Sequence, residues 1–316
     1  MTDLLDLLAF SFSVTGPILL LLIMGVVLRR VGLINDAFID AGSKLVFNVT
    51  LPALLFITIS KTSIDQTANL GLLAMGLGGT LLVFLAMVPI AGRFVSDPPE
   101  RGVVVQGGYR GNLGVIGLAY CVNAYGEIGL AASALYVGLV TIFYNVLAVA
   151  LLNHYLHKQR SLWGAMVSIA KNPLVIGIVV ALPFSYFHWS LPEVVLKTGD
   201  YFAQMTLPLA LLCTGGSLSF AAMRFEAVNA AVGTLGKNVL SPLLITLAAI
   251  ALGFRGMELG ILFLMAAPPT AAASYVMVRA MGGNHVLAAN IIALSTVGSI
   301  ISTSLGLLVL RGIGLV

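Results

Sequence analysis

Long apolar runs recur from one end of the chain to the other, separated by short polar stretches. Each run is about 20 residues long, the length that an α-helix needs to cross a bilayer. Runs such as ILLLLIMG (18–25) do not alternate between apolar and polar residues, as the strands of a membrane barrel would. We therefore predict an all-α polytopic membrane protein with ten spans, near Leu8–Leu28, Lys44–Ile59, Asn69–Gly92, Arg101–Ala124, Gly129–Leu152, Trp163–Tyr186, Val194–Gly215, Val228–Phe254, Met257–Met281 and Val286–Leu310.

Composition agrees with this prediction. Of the 316 residues, 59% are hydrophobic and 9% are charged, whereas soluble domains carry about 25% charge. The net charge of +4 is too small and too scattered for nucleic-acid binding. Cys121 and Cys213 both lie in apolar runs, so we expect neither a disulfide nor a metal site, and no cofactor. The connections are short, the longest being predicted at Arg29–Ser43, and they leave no room for an enzyme domain.

The basic residues near the span ends predict the orientation of the chain. Nine lie in or beside the odd-numbered connections, and four lie in the even-numbered connections and the C-terminus. Because Lys and Arg accumulate on the cytoplasmic side, both termini are expected outside the cytoplasm. The acidic start MTDLLDLLAF does not resemble a cleavable signal peptide. The expected location is the cell (inner) membrane, with the lipid bilayer as a partner.

The two halves of the chain are related by an offset of 156 residues. Pro17 corresponds to Pro173, Gly126 to Gly282, and the run TLP at 50–52 to TLP at 206–208. Five spans per half is an odd number, so the second half must be inverted relative to the first. We predict repeats at 1–156 and 157–316. Inverted repeats are typical of secondary transporters, although channels also carry them.

Two equivalent spans contain residues that interrupt helices. Span four carries QGGYRGNLG (106–114), and span nine carries MAAPPTAAAS (265–274), with Asn112 and Pro268 at equivalent positions. Glycine costs about 1 kcal/mol in a helix, and Pro269 removes a backbone donor. Paired interruptions at mid-membrane are the best sequence indication of a transporter's binding site. The alternative is that the glycines serve only close helix packing.

Candidate binding residues surround these interruptions. Arg110 lies nine residues into span four, or about 14 Å, and is either an anchor for an anionic substrate or a structural cap of freed carbonyls. Lys237 is expected to be shallower, where it can extend to the cytoplasmic surface or take a gating or charge role. We predict a substrate site that includes Gly111, Asn112, Gly114, Tyr144, Asn145, Pro268, Pro269 and Thr270.

The acidic residues are informative through their positions. Glu127, Asp200, Glu226 and Glu258 all lie near predicted helix ends. Proton pumps usually carry a carboxylate within the membrane, and sodium sites need clustered oxygen ligands. Uniport, or proton coupling through the substrate itself, therefore fits the sequence better than coupling through a buried acid.

The segments RGNLGVIGL, TLPLALLCTGGSL and APPTAAASYVMVRAMGGNHVLAANIIALSTVGSIIS resemble the auxin efflux carrier family over essentially the whole chain. The family includes plant PIN carriers and bacterial malonate or malate permeases. The resemblance implies ten helices in two inverted five-helix repeats, with spans four and nine crossing. It implies a scaffold of spans one, two, six and seven, a transport domain of spans three to five and eight to ten, homodimers and an elevator-like motion. Asn112 matches the family's crossover asparagine, which is expected to meet a substrate carboxylate.

These observations together predict a secondary transporter of small organic anions, working by export or uniport. The first alternative is a proton- or sodium-coupled importer of dicarboxylates such as malonate or malate, and the second is an ion channel. An intramembrane enzyme would need a catalytic dyad at depth, and the sequence has none.

Overall fold

A computed structural model describes residues 4–61, 69–156, 170–218 and 227–316, together with residue 167. These residues form helices and connections, with no β-strand among them and a single isolated β-bridge. They contain thirteen α-helices: α1 Leu4–Arg30, α2 Asp36–Leu45, α3 Leu51–Lys61, α4 Leu70–Phe94, α5 Pro98–Tyr109, α6 Leu118–Leu156, α7 Pro173–Phe187, α8 Glu193–Ser217, α9 Ala227–Leu235, α10 Ser241–Ala251, α11 Gly256–Ala266, α12 Ala273–Ala280 and α13 His285–Gly312.

Six helical segments in the described ranges are long and apolar enough to cross a membrane. The prediction of an all-α polytopic membrane protein is thus confirmed, while the count of ten spans remains a prediction. The segments are Asp6–Arg30, Asp36–Lys61, Leu70–Phe94, Leu113–Leu156, Val228–Ala251 and His285–Gly312, with shorter apolar helices at Pro173–Phe187 and Gly256–Ala266.

Helix α6 contains the boundary that was predicted between spans four and five. Gly126 has φ 60° and ψ −146°, a conformation that side-chain-bearing residues avoid, and it divides α6 into two helical parts. Gly282, its partner under the offset of 156, also has a positive φ of 72° and follows α12. The backbone conformation therefore favours glycine at both positions.

Asparagine side chains begin several of the helices. The side chains of Asn35, Asn69 and Asn284 each accept a hydrogen bond from a backbone N–H three residues later, which satisfies a donor that the helix leaves free. The cap at Asn35 starts α2 at Asp36, so the prediction that Arg29–Ser43 is a connection throughout was wrong in its second half. The segment that forms α2 is short and partly polar, but it has an N-cap, and α8 covers its apolar side. The contact of Ile39 with Gly216 of α8 shows this packing.

Within the described ranges, three π-helical segments interrupt the regular helices, at Val46–Thr50, Leu113–Gly117 and Gly236–Leu240. Such wide turns insert one residue into a helix and are frequent at functional sites. The second follows the interruption in span four, and the third carries Lys237.

The helices pack in two groups. Helices α1, α3, α7 and α8 form one group, and the helices from α4 to α6 and from α9 to α13 form the other. The groups meet where α1 packs against α6 and α13, and where α3 packs against α6. Between α1 and α8 the backbones touch: a Cβ on Gly25 would lie 2.2 Å from the Leu212 carbonyl oxygen, and one on Gly215 would lie 2.1 Å from that of Leu22. Small residues permit this close approach of the two backbones. Close packing is needed within a membrane, because apolar side chains gain little free energy by moving from lipid into a helix contact.

Two acidic residues connect the ends of helices in the second group. Glu258 accepts a 2.5 Å hydrogen bond from Asn69, joining the starts of α11 and α4. Glu100 accepts bonds of 2.6 Å from Asn229 and 2.7 Å from Asn284, joining the starts of α5, α9 and α13. The two carboxylates thus hold corresponding helix ends of the two halves.

Candidate functional site

The interruptions in spans four and nine cross and hydrogen-bond to each other. Helix α5 ends at Tyr109, and α11 ends at Ala266. The backbone N–H of Asn112 donates to the Pro269 carbonyl at 2.8 Å, and that of Ala271 donates to the Arg110 carbonyl at 3.0 Å. An antiparallel bridge between Gly111 and Thr270 lies between the two bonds. Each interruption therefore satisfies backbone groups that the other one frees, at a depth where no lipid group can do so.

Thr270 satisfies two further backbone groups. Its hydroxyl donates to the Gly107 carbonyl at 2.7 Å, and its N–H donates to the Ser295 hydroxyl at 3.0 Å. The Gly107 carbonyl belongs to the last turn of α5, whose carbonyls have no partner within the helix. Ser295 on α13 was not among the predicted site residues, because nothing in its local sequence marks it.

The glycines near the crossing provide room for the neighbouring chain. A Cβ on Gly108 would lie 2.5 Å from Met87, and one on Gly111 would lie 3.1 Å from Nζ of Lys237. Gly117 faces Met265 and Pro268, while Gly114 faces Leu51 at 3.1 Å. None of these four glycines has a positive φ, so their role is close approach and not an unusual backbone conformation.

Arg110 is almost completely buried, with 4% of its surface exposed. Its guanidinium donates to Oδ1 of Asn145 at 2.7 Å and to the sulfur of Met277 at 2.8 Å. Among the described residues, no carboxylate forms an ion pair with it. Two of its five N–H donors are used in these contacts, so donors remain for an anion.

A cavity of about 1360 Å³ lies beside the crossing. Arg110, Asn112 and Asn145 line one side, and Lys44 and Lys171 belong to the rest of the lining. Asp40 is the one acidic residue among its described lining residues, so three cationic side chains face one anionic side chain. This excess of positive charge, with amide groups beside it, suits a small anion.

The sequence comparisons indicate a membrane transporter. Residues 157–307 match a family described as membrane transport protein. An uncharacterized transporter of Methanothermobacter thermautotrophicus is 23% identical over 93% of this chain and 96% of its own length. The uncharacterized transporter YfdV of Escherichia coli is 24% identical over 84% of this chain and 86% of its own. A protein of Rhizobium meliloti named "Putative malonate transporter" is 26% identical over 63% of this chain and 64% of its own.

These matches support a transporter of the auxin efflux carrier family. The resemblance stated from the sequence motifs is thereby confirmed. In this transporter, three of the predicted site residues, Arg110, Asn112 and Asn145, come together on one cavity wall.

The remaining predicted residues lie behind that wall. Gly111, Pro269 and Thr270 form the crossing itself, and Pro268 packs on Gly117. Tyr144 is buried against Tyr109, with ring centroids 5.6 Å apart, and its carbonyl accepts a 3.3 Å hydrogen bond from the Tyr109 hydroxyl. These residues support the cavity wall from behind.

Lys237 does not extend to a surface, which was one of the two expectations for it, while its gating or charge role stays a prediction. The side chain is fully buried, and Nζ donates to the Ala266 carbonyl at 2.8 Å. The π-helical turn at Gly236–Leu240 turns this position inward, toward the end of α11. A regular helical wheel cannot anticipate that change of direction.

A second cavity of about 710 Å³ shares no lining residue with the first. Its wall includes Asn123, Glu127 and Gln204, together with an ion pair in which Lys61 and Asp200 are 2.7 Å apart. Both cavities are lined by α8 and by the segment from Leu113 to the end of α6, so they lie along the same boundary between the two packing groups.

Proposed function

We propose that this protein is a secondary transporter that moves small organic carboxylates by elevator-type alternating access, as an exporter or uniporter. The observation that carries the proposal is the crossing of two interrupted segments next to a cavity lined by Arg110, Asn112 and Asn145. The relative named for malonate supports a carboxylate as substrate.

In this proposal Arg110 supplies the charge that binds a carboxylate. Asn112 and Asn145 donate hydrogen bonds from their amides, and Asn145 also orients the guanidinium through its oxygen. Arginine suits this task because its planar group matches both oxygens of a carboxylate. The other predicted site residues hold the backbone of the cavity wall in place: Gly111, Gly114, Pro268, Pro269, Thr270 and Tyr144.

The proposed moving unit contains α4 to α6 and α9 to α13, and the fixed scaffold contains α1 to α3, α7 and α8. The most extensive helix contacts, α1 with α8 and α3 with α7, lie within the scaffold group, which supports this division. The positive φ of Gly126 and Gly282, together with the corresponding roles of Glu100 and Glu258, supports inverted repeats at 1–156 and 157–316. Two copies would associate through the scaffold.

The larger cavity would open toward the cytoplasm, because Lys44 and Lys171 line it and basic residues accumulate on that side. In a cell (inner) membrane, both termini would then face away from the cytoplasm. An inside-negative potential would drive an anion outward by about 2.3 kcal/mol per charge per 100 mV. This favours export for a uniporter.

The decisive experiment measures counterflow of radiolabelled malonate in proteoliposomes, with sodium, proton and voltage gradients imposed separately. Saturable counterflow that responds only to voltage supports the proposal. Stimulation by a sodium or proton gradient supports the first alternative, a coupled importer of dicarboxylates. Current that does not saturate and shows no counterflow supports a channel and contradicts the proposal.

A further inference from the structure

The amine of Lys237 lies where neither cavity reaches. It is fully buried and belongs to the lining of neither the 1360 Å³ nor the 710 Å³ cavity. Its Nζ donates to the Ala266 carbonyl at 2.8 Å and to the Ser241 hydroxyl at 3.3 Å. A substrate in either cavity therefore has no direct access to this ammonium group.

The carbonyl that Lys237 contacts lies at the end of an interrupted helix. Ala266 is the last residue of α11, and the carbonyls of a last helical turn have no partners within the helix. They also carry the partial negative charge of the helix dipole. An ammonium at this point compensates both the missing hydrogen bond and the negative end of the helix.

In the part of the chain that the structure describes, no acidic side chain forms an ion pair with Lys237. The three ion pairs found among the described residues are Arg29–Asp36, Lys61–Asp200 and Lys197–Glu193, and none includes Lys237. A charged side chain is costly within a membrane protein and is retained where it has a function. Its described polar partners are one carbonyl and one hydroxyl, both oxygen ligands of the kind that hard cations take.

The ammonium also contacts the crossing. A methyl group on Gly111 would lie 3.1 Å from Nζ and 3.3 Å from Cε of Lys237. The equivalent carbonyl end of α5 has a different arrangement, because the neutral Thr270 hydroxyl satisfies Gly107 there. The carbonyl of Ala266 thus has an amine donor at 2.8 Å and the Ser241 hydroxyl at 3.4 Å, whereas Gly107 has the Thr270 hydroxyl.

We propose that Lys237 is a tethered cation which takes the structural place of a bound alkali ion at the crossing. The covalently attached ammonium holds the end of α11 beside Gly111, so the protein needs no added monovalent cation to keep the crossing assembled. Removal of the side chain then opens a site for a small monovalent cation between Ala266 and Ser241. Lys237 is a positioning residue in this proposal, and it acts without contacting the substrate.

Thermal unfolding of the purified, full-length protein tests the proposal without any substrate. The variants are Lys237→Ala, which removes the group and leaves space, and Lys237→Met, which fills the space without charge. Lys197→Ala is the matched control, because Lys197 is exposed and pairs with Glu193 in the preceding helical turn. Each is measured in N-methylglucamine, sodium and propylammonium chloride at equal ionic strength, since propylammonium replaces the missing part of the lysine side chain.

We expect the wild type and Lys197→Ala to unfold at temperatures that do not depend on the cation. Lys237→Ala is expected to unfold at a lower temperature in N-methylglucamine and to recover saturably with propylammonium or sodium. Lys237→Met is expected to be destabilised without recovery, because its side chain fills the site. A purely structural role in packing would not produce recovery by a dissolved cation.

Three results would overturn the proposal. The first is an unfolding temperature of Lys237→Met equal to that of the wild type. The second is a Lys237→Ala protein whose lowered unfolding temperature no small cation restores. The third is a wild-type protein that sodium stabilises specifically. The last needs no variant, so it decides the matter even if Lys237→Ala fails to fold.

Malonate counterflow gives a second measurement. We expect the counterflow rate of Lys237→Met to be at least about tenfold lower than that of the wild type, the order expected when a hydrogen bond from a charged group is removed. If wild-type protein transports no carboxylate at all, the proposed function fails while the unfolding experiment still decides the role of Lys237.

Discussion

The backbone N–H of Asn112 donates a 2.8 Å hydrogen bond to the carbonyl of Pro269, which joins the two interrupted segments at their crossing. Both residues were identified from the sequence as places where a helix would fail. The structure adds that the two failures are complementary, because each one supplies groups that the other requires. This arrangement keeps extended backbone at a depth where unpaired peptide groups would cost several kcal/mol each.

Arg110→Met should abolish anion binding without unfolding the protein. The methionine keeps much of the side-chain volume but removes the charge that faces the cavity, so we expect malonate counterflow to fall by at least about tenfold. Thermal stability should be unchanged or higher, because an arginine at this depth costs about 2.5–3.5 kcal/mol. Arg93→Gln, at the exposed end of α4, is the control and should behave as wild type. Normal counterflow in Arg110→Met would exclude this guanidinium from the binding site.

Asn145→Asp tests whether the charge on Arg110 must remain unpaired. The replacement is nearly isosteric and would turn the 2.7 Å hydrogen bond into an ion pair. We expect a stable protein whose apparent KM for malonate rises about tenfold or more, since the carboxylate competes with the substrate for the guanidinium. Asn145→Ser, which carries no charge, should have a smaller effect on KM. Equal effects of the two replacements would show that charge is not the cause.

Thr270→Val should destabilise the crossing. Valine preserves the shape of threonine but leaves the Gly107 carbonyl without the 2.7 Å hydrogen bond that it now accepts. An unsatisfied buried group costs about 1–3 kcal/mol, which would appear as a lower unfolding temperature in detergent. Thr198→Val is the matched control, because the Thr198 hydroxyl bonds to the Val194 carbonyl on an exposed helix surface. If the two variants unfolded alike, the hydroxyl of Thr270 would have no special role.

The contact between α1 and α8 should tolerate no side chain at Gly25. Even the Cβ of Gly25→Ala would lie 2.2 Å from the Leu212 carbonyl oxygen, so the helices must separate and the unfolding temperature should fall. Gly78→Ala makes the same change in α4, where nothing lies within 4 Å of the added Cβ. That control should be neutral or slightly stabilising, because alanine is a better helix former than glycine. A Gly25→Ala protein as stable as the Gly78→Ala protein would contradict the observed helix spacing.

The sequence determined the properties that depend on local chemistry. Apolar runs predicted helices that span a membrane, and the glycines from Gly107 to Gly114 and the pair Pro268-Pro269 marked the interruptions, because backbone conformation and hydrogen bonding are limited within each segment. The position of Asn112 and the family motifs also followed from the residues alone.

Only the tertiary structure decided which polar groups meet. The contact of Arg110 with Asn145 joins residues 35 positions apart, the Thr270 hydroxyl reaches Gly107 across 163 positions, and Lys237 meets Ala266 from another helix. Such contacts depend on how the helices are rotated and how closely they approach. Those quantities are fixed by packing between distant segments, such as Gly25 against α8, and by the π-helical turn that directs Lys237 inward.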